Sequence, residues 1–337
     1  MIRLIKPGID YWPNYVDAVR ECKRAGNLIE QMNMSAHITN TVQENNVSKA
    51  MREFRASEQV NSLPRYTNPC DHFWLLNGQQ LIGIGVTRHY LSNDLEKNGG
   101  HIQYLVRPSF SRRGWEAKLL SLLIKECGKR GIKTALITYP GSNTIAAEAA
   151  KMAGGRVFDQ VEAVSGGVKT NIVRCLADTK IKIRTWREPG FKFRDIKRIS
   201  GQEVCLQLAF TIPEDISYCP AYRFNILNSR TRGKVGYIDL RIGYDSEIFC
   251  SGNIGYSIQE RHRGHGYAGK AAGLLAPLAS AHHMRDLSIT CNPDNLASAK
   301  TAESLGARYL ELIKLPHTSG QYRQGDRFKR RYIWKLH

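Results

Sequence analysis

From Phe73 the chain reads FWLLNGQQLIGIGVTRH, two apolar runs that break at Asn77 and Gly78. An Asn-Gly pair between such runs predicts a β-hairpin, because both residues accept the positive φ of a tight turn. Ahead of it, the stretches Trp12 to Arg24 and Val47 to Glu58 read as helices. Downstream the pattern predicts a strand (Ile102 to Val106), a basic glycine-containing loop, a helix (about Glu116 to Arg130) and a second strand (Thr134 to Thr138). An Asn-containing loop then leads into a helix that stops at Gly154-Gly155, since glycine just past a helix accepts the left-handed terminating conformation. Two more strand-like runs follow, Arg156 to Val161 and Thr170 to Leu176.

The same order then recurs. AYRFNIL from Ala221 and KVGYIDLRIGY from Lys234 form a strand pair, followed by a strand (Ile254 to Ile258), a glycine loop, a helix (Ala268 to His283) and a strand (Asp286 to Thr290). An Asn loop, a helix ending at Gly306-Ala307, and strands at Tyr309 to Leu315 and Arg331 to Leu336 complete the second copy. The register between the copies is constant at 152 residues: Gly100, Ile102 and Tyr104 fall on Gly252, Ile254 and Tyr256. Without a gap, Gly114 falls on Gly266, Leu122-Leu123 on Leu274-Leu275, Ile137-Thr138 on Ile289-Thr290, Asn143 on Asn295 and Gly154 on Gly306. A single register held this long indicates two copies of one α/β unit with a mixed sheet. The boundary is expected in DTKIKIRTWREPG, giving domains 1–178 and 179–337 with no low-complexity linker between them.

Composition narrows the class. A length of 337 residues suits two domains, and 42% hydrophobic with 23% charged residues excludes a disordered or fibrous chain. Eight cysteines with no CxxC pair make a zinc site or disulfide framework unlikely from the outset, so no metal is expected. No segment offers about 18 uninterrupted apolar residues, and a cytoplasmic protein that avoids the membrane is expected. The net charge is +19, of which residues 179–337 hold 26 basic against 14 acidic residues. Such an excess draws polyanions: nucleic acid, acidic proteins or a phosphate-rich cofactor. The densest cluster, Arg327, Lys329, Arg330 and Arg331, alternates with aromatics in a predicted strand, which equally describes a solvated strand face.

The second glycine loop carries the chemistry. QERHRGHGYAGK, Gln259 to Lys270, places Gly264, Gly266 and the small Ala268 at the start of a helix, where uncovered N–H groups and the helix dipole favour a pyrophosphate. Arg261, His262, Arg263 and His265 add positive charge around it.

Within this loop Arg263, Gly264, His265, Gly266, Tyr267 and Ala268 resemble the R/Q-x-x-G-x-G/A loop of GNAT-family N-acetyltransferases. NIGYSI before it and CNPDNLASAKTAESLGA after it resemble the strand and Asn-x-x-Ser helix of the same family. The resemblance implies two tandem GNAT folds, each a mixed, mostly antiparallel sheet flanked by helices, and implies acetyl-CoA as cosubstrate. It places the pyrophosphate on Arg263 to Ala268, the pantetheine arm on backbone groups of Ser257 and Ile258, and Asn295 and Ser298 beside the pantetheine and sulfur. The resemblance further implies that the amine attacks the thioester directly, with the enzyme supplying a base, an oxyanion donor and a thiolate acid. Tyr256, Ser298 and Asp239 are the candidate catalytic residues, and Glu260, His262 or a water are further candidates for the base. Tyr256 reads as core packing ahead of catalysis, and the alternative for Asn295 is a helix-capping residue.

Two departures from the family pattern stand out. Ala302 takes the place of a tyrosine that many members use to protonate the thiolate, and Gly252 that of a glutamate base in some relatives.

The first copy has SRRGWE, Ser111 to Glu116, where the second has RGHGYA. Arg112 replaces a glycine, Glu116 replaces Ala268, and Ala146 replaces Ser298, so a carboxylate enters the phosphate's place unless an arginine pairs with it. The first copy is therefore expected to support rather than catalyse, with the acceptor in a cleft at the domain junction. Arg88 and Arg241 read as solvated strand arginines or as contacts for acidic substrates. The acceptor is expected to be a primary amine of a small molecule such as an antibiotic or metabolite. An amine on a macromolecule, aminoacyl-tRNA or an acidic protein, is the alternative, and a pseudoenzyme that only binds acetyl-CoA is the third.

Overall fold

The computed structural model describes residues 1–26, 46–59, 68–165, 168–214 and 219–336, and the chain divides into two compact units, Met1–Ile181 and Lys182–His337. Each unit is built on the predicted order of strands and helices.

In the first unit β1 (Ile2–Ile5), α1 (Trp12–Arg24), α2 (Val47–Ser57) and the hairpin β2 (Cys70–Asn77) with β3 (Gln80–Arg88) precede a short α3 (Asn93–Lys97). Then come β4 (Ile102–Val106), α4 (Trp115–Lys129), β5 (Thr134–Pro140), α5 (Thr144–Met152), β6 (Arg156–Ser165) and β7 (Val168–Asp178). The strands form one sheet of order β1-β2-β3-β4-β5-β7-β6, antiparallel except where β4 meets β5 in parallel at Ile102 and Ile137. One face is covered by α1 and α2. Their apolar stripe of Trp12, Tyr15, Val16, Val19, Ala50, Met51 and Phe54 packs on Trp74, Leu76, Ile84 and Val86. Tyr15 stacks on Trp74 with ring centres 4.8 Å apart. Burying each such side chain contributes roughly 1.5–3 kcal/mol, so this face depends on the two helices.

The second unit contains β8 (Arg198–Ile199), β9 (Val204–Ile212), β10 (Ala221–Asn228), β11 (Lys234–Arg241), α6 (Ser246–Ser251) and β12 (Ile254–Ile258). It continues through α7 (Tyr267–Ala281), β13 (Asp286–Cys291), α8 (Leu296–Ser304), β14 (Arg308–Lys314), α9 (Gly320–Arg323) and β15 (Phe328–Lys335). Here the strands form two sheets, β12-β11-β10-β9-β8 and β13-β15-β14. Tyr222, Phe224, Ile226, Ile238, Leu240 and Ile254 are buried on one face of the larger sheet, where α7 packs with Ala271, Ala272 and Leu275.

Segment 182–198 is tied to this core. The Nδ1–H of buried His282 donates to Glu188 at 2.5 Å, and its Nε2 shares a hydrogen bond of 2.7 Å with the Tyr222 hydroxyl, which accepts the N–H of Arg194. Strand β9 was not marked by the sequence pattern. A bulge between its pairings of Leu208 and Phe210 breaks the period-two alternation that reveals a strand.

The basic cluster near the C-terminus lies on and beside β15. Arg331 donates to buried Glu311 from its Nε at 2.8 Å, and Lys329 pairs with Asp326 at 2.7 Å, so part of this charge is balanced within the unit.

Candidate active site

The two sheets of the second unit part between β12 and β13. They are joined at one end, where the N–H of Asn253 donates to Ser288 O at 2.7 Å and the Ser288 N–H donates to Asn253 Oδ1 at 2.8 Å. The amide of Asn253 in turn donates to the carbonyls of Arg241 and Gly243. Among the described residues no backbone hydrogen bond joins the two strands beyond this point, so β12 is an edge strand whose free side faces the opening. The carboxyl ends of the diverging strands lead into the N-termini of α7 and α8, the end of an α/β sheet where ligands bind.

The first unit repeats the apex with different atoms. His101 Nδ1 accepts the Leu136 N–H at 2.8 Å, and the His101 N–H donates to Leu136 O. A further correspondence concerns Arg88 and Arg241. Arg88 donates to the carbonyls of Gly99 and Gly100 at 3.1 Å, and Arg241 donates to that of Gly252 at 3.0 Å. Both arginines therefore tie down the turn that precedes β4 in the first unit and β12 in the second.

After β12 a 3-10 turn at Glu260–His262 brings the chain to Gly264 (φ +83°) and Gly266 (φ +69°), the latter capping α7 with no side-chain partner. These left-handed conformations favour glycine, and the space above them is uncrowded: a Cβ at Gly264 would meet nothing within 4 Å, and one at Gly266 would meet the Lys270 Cε at 3.8 Å. The first N–H groups of α7 thus face outward beside the buried Ala268, with the positive end of the helix dipole behind them.

The side chains of the loop brace it. His265 donates from Nδ1 to Arg263 O at 2.9 Å and stacks on Tyr267, whose hydroxyl accepts from Asn228. Lys270 reaches Glu203 at 2.6 Å and His265 O at 3.1 Å, and Arg263 Nε reaches Ile258 O at 3.4 Å. The arginine that the R-x-x-G-x-G spacing calls for, three residues before Gly264, is Arg261 rather than Arg263; it is exposed.

Asn295 caps α8, its Oδ1 accepting the Ser298 N–H at 3.0 Å, and Asn143 caps α5 on Ala146 in the same way. Ala302, at the place of the family's tyrosine, is fully buried. A Cβ at Gly252 would lie 2.9 Å from Ser288 O, leaving no room for the glutamate of some relatives. Ser257 is exposed on β12, opposite Tyr237.

Tyr256 points its hydroxyl into a buried position with no hydrogen-bond partner. Its equivalent Tyr104 is close enough to Glu116 and Tyr139 for burial and their charges to push its hydroxyl well above the ordinary phenol range. These two residues correspond to Ala268 and Cys291, at the start of α7 and the end of β13. Asp239 lies on the opposite face of the sheet. It is buried, and Arg223 holds both its oxygens, from Nε at 2.6 Å and from the terminal nitrogen at 2.7 Å.

In the first unit the glycine loop is filled from within. Arg112 keeps the positive φ of Gly264, at +62°, and Gly114 that of Gly266, at +80°. The Glu116 carboxylate turns into the loop and accepts the Ser111 hydroxyl at 2.6 Å and the Arg112 N–H at 3.0 Å. A cavity of about 280 Å³ lies beside it, lined by Arg112, Glu116, Thr144, Glu148 and Met152 among others.

Residues 205–308 match the family model described as an acetyltransferase (GNAT) domain, so the second unit carries a GNAT acetyltransferase domain. No curated protein matches the chain. Among solved structures, the microcin C7 self-immunity acetyltransferase in complex with acetyl-CoA and AMP is 17% identical, with 52% of this chain and 92% of that one covered at a TM-score of 0.38. The ribosomal L7/L12 α-N-protein acetyltransferase in complex with coenzyme A is 14% identical, covering 52% and 93% at 0.39. An acetyltransferase from Salmonella typhimurium with acetyl-CoA is 12% identical, covering 53% and 94% at 0.35.

Proposed function

We propose that the GNAT domain of residues 182–337 binds acetyl-CoA between β12 and β13 and transfers its acetyl group directly to a primary amine. The observation that carries this reading is the parting of β12 from β13 beside an uncapped helix N-terminus whose two glycines leave the backbone bare. The outward N–H groups at Gly266 to Ala268 suit a pyrophosphate, with Arg261 and Arg263 adding charge at the rim. Acetyl-CoA supplies the activated acyl group.

The free edge of β12 at Ser257 and Ile258 offers backbone groups to the pantetheine and to the thioester carbonyl. A donor fixed there contributes about 3–4 kcal/mol if it equals the donors of known oxyanion holes. The Tyr256 hydroxyl is the group we assign to the leaving sulfur, since a buried, unpaired hydroxyl costs about 1–3 kcal/mol unless a ligand satisfies it. Asn295 and Ser298 border the same opening at the start of α8. We assign Asp239 to anchoring Arg223, because a carboxylate engaged by one guanidinium through both oxygens has little call on an amine proton.

The first unit is proposed as a supporting copy, since Glu116 already supplies an anion to its loop. The acceptor on this reading is a small amine-bearing molecule. The bare basic face of the larger sheet in the second unit favours an amine carried on a macromolecule as the second reading. Calorimetric titration of the full chain should give one acetyl-CoA site, and mass spectrometry of an amine panel and of bulk tRNA after incubation with acetyl-CoA should show, on one of them, the mass gain of an acetyl group in place of a hydrogen atom. Failure to bind acetyl-CoA would end the proposal.

A further inference from the structure

The same sheet face is treated in opposite ways by the two units. Because Arg88 and Arg241 make the same backbone contacts, Val86 corresponds to Asp239 and Ile84 to Tyr237. The ladders then place His72 on Arg223 and Trp74 on Asn225, and the repeat places Leu105 on Ser257. In the first unit these residues lie under α1 and α2. In the second, β9 is followed by residues 213–220 and then β10, and the described residues of that stretch contain no helix. The apolar residues that a covering helix needs have been replaced by polar, charged and aromatic ones.

Phe210 is 49% and Tyr237 39% exposed on this face, and the Arg223 guanidinium sits between them, 5.4 and 4.8 Å from the ring centres. Arg198 and Arg232, both exposed, reach Cys205 Sγ at the β8 edge of the same face, and neither pairs with a carboxylate among the described residues. Arg223 is balanced by Asp239, so Arg198 and Arg232 are the arginines left to meet an anion. Exposed rings on a sheet face, with a guanidinium between them and others at the edge, offer π-faces to bases and charge to phosphates. A duplex hides its base faces and would use only the charge.

We propose that the β8–β12 face of the second unit binds single-stranded nucleic acid, with bases stacked on Phe210 and Tyr237 and phosphates on Arg198 and Arg232. Tyr237 lies opposite Ser257 in the ladder, so a strand end stacked there lies next to the edge of β12. The proposal does not depend on acetyl transfer, and binding is read without acetyl-CoA.

The test is fluorescence anisotropy of the full chain with labelled uridine and deoxythymidine oligomers of about twelve nucleotides. A duplex of the same length and polyglutamate serve as competitors. Single strands are expected to bind at least tenfold tighter than the duplex. The double variant Phe210→Ala, Tyr237→Ala should lose at least tenfold in affinity with an unchanged thermal midpoint, since both rings are exposed. Arg198→Gln with Arg232→Gln should reduce the slope of log affinity against log salt by roughly 1.4, two phosphate contacts at about 0.7 each. Equal binding of duplex and single strand, full competition by polyglutamate, or an aromatic variant that binds as well as the parent would each overturn the proposal. So would sedimentation showing a dimer that the aromatic variant dissolves, because the face would then belong to a second copy.

Discussion

Glu116 accepts the backbone N–H of Arg112 at 3.0 Å and so places a carboxylate within the first unit's own glycine loop. Its counterpart Ala268 leaves the second loop open. Glu116 thus gives the first loop a carboxylate ligand of its own that the second loop lacks. Acetyl-CoA affinity should follow this difference: Gly266→Glu is expected to weaken binding at least tenfold, about 1.4 kcal/mol or more, and Gly114→Glu to leave it unchanged. Calorimetry on the two full-length variants decides, and equal losses would contradict a single site.

Tyr256→Phe removes a hydroxyl that has no partner in the fold. Stability is expected to stay level or rise slightly, because no hydrogen bond is lost. Turnover should fall, with KM for acetyl-CoA little changed, if the hydroxyl protonates the thiolate. A variant with parental kcat would return Tyr256 to core packing.

Asp239→Asn separates an anchoring carboxylate from a base. The loss of the two charged hydrogen bonds to Arg223 should cost about 1.5–3 kcal/mol in chemical denaturation. The acidic limb of the rate profile should stay where it is in the parent. A limb that vanishes with turnover would identify Asp239 as the base.

Asn295→Ala and Asn143→Ala remove equivalent helix caps. Each should cost about 1 kcal/mol. Only the first should also reduce turnover if, as proposed, Asn295 contacts acetyl-CoA at the start of α8. If Asn295→Ala loses stability alone, the residue is a cap and nothing more.

The first unit should weaken on acidification. Burial, with Lys6 and Arg88 nearby, pushes the His72 pKa down to about 3. The unfolded chain, with a histidine near about 6.5, takes up the proton first, so stability is intact above that value and falls by up to about 1.4 kcal/mol per pH unit toward about pH 3. Burial raises Asp71, but hydrogen bonds from His89, Arg130 and Lys6 outweigh it and hold its carboxyl well below the usual range, so its loss begins only below about pH 4. Denaturation of His72→Leu across this range should give a flatter dependence. An unchanged slope would show that His72 is not the titrating group.

Much of the molecule was legible in the sequence because it is encoded locally. The hairpin at Asn77-Gly78, the strands at Ile102–Val106 and Ile254–Ile258, and the open and blocked glycine loops rest on residues close together in the chain, and the 152-residue register is the recurrence of such local patterns. Periodicity and backbone preference act over a few residues, and a linear reading captures them.

Only the tertiary structure decided the rest. The parting of β12 from β13 depends on Asn253 meeting Ser288, 35 residues away. The pairing of Asp239 with Arg223 depends on the register of two neighbouring strands. Whether Trp74 or Asn225 sits under a helix depends on elements elsewhere in each unit: α1 and α2 cover Trp74, whereas the described residues between β9 and Asn225's strand contain no helix. A residue's pattern states which face it occupies, but what covers that face is a long-range contact, and long-range contacts are set by the packing of the whole unit.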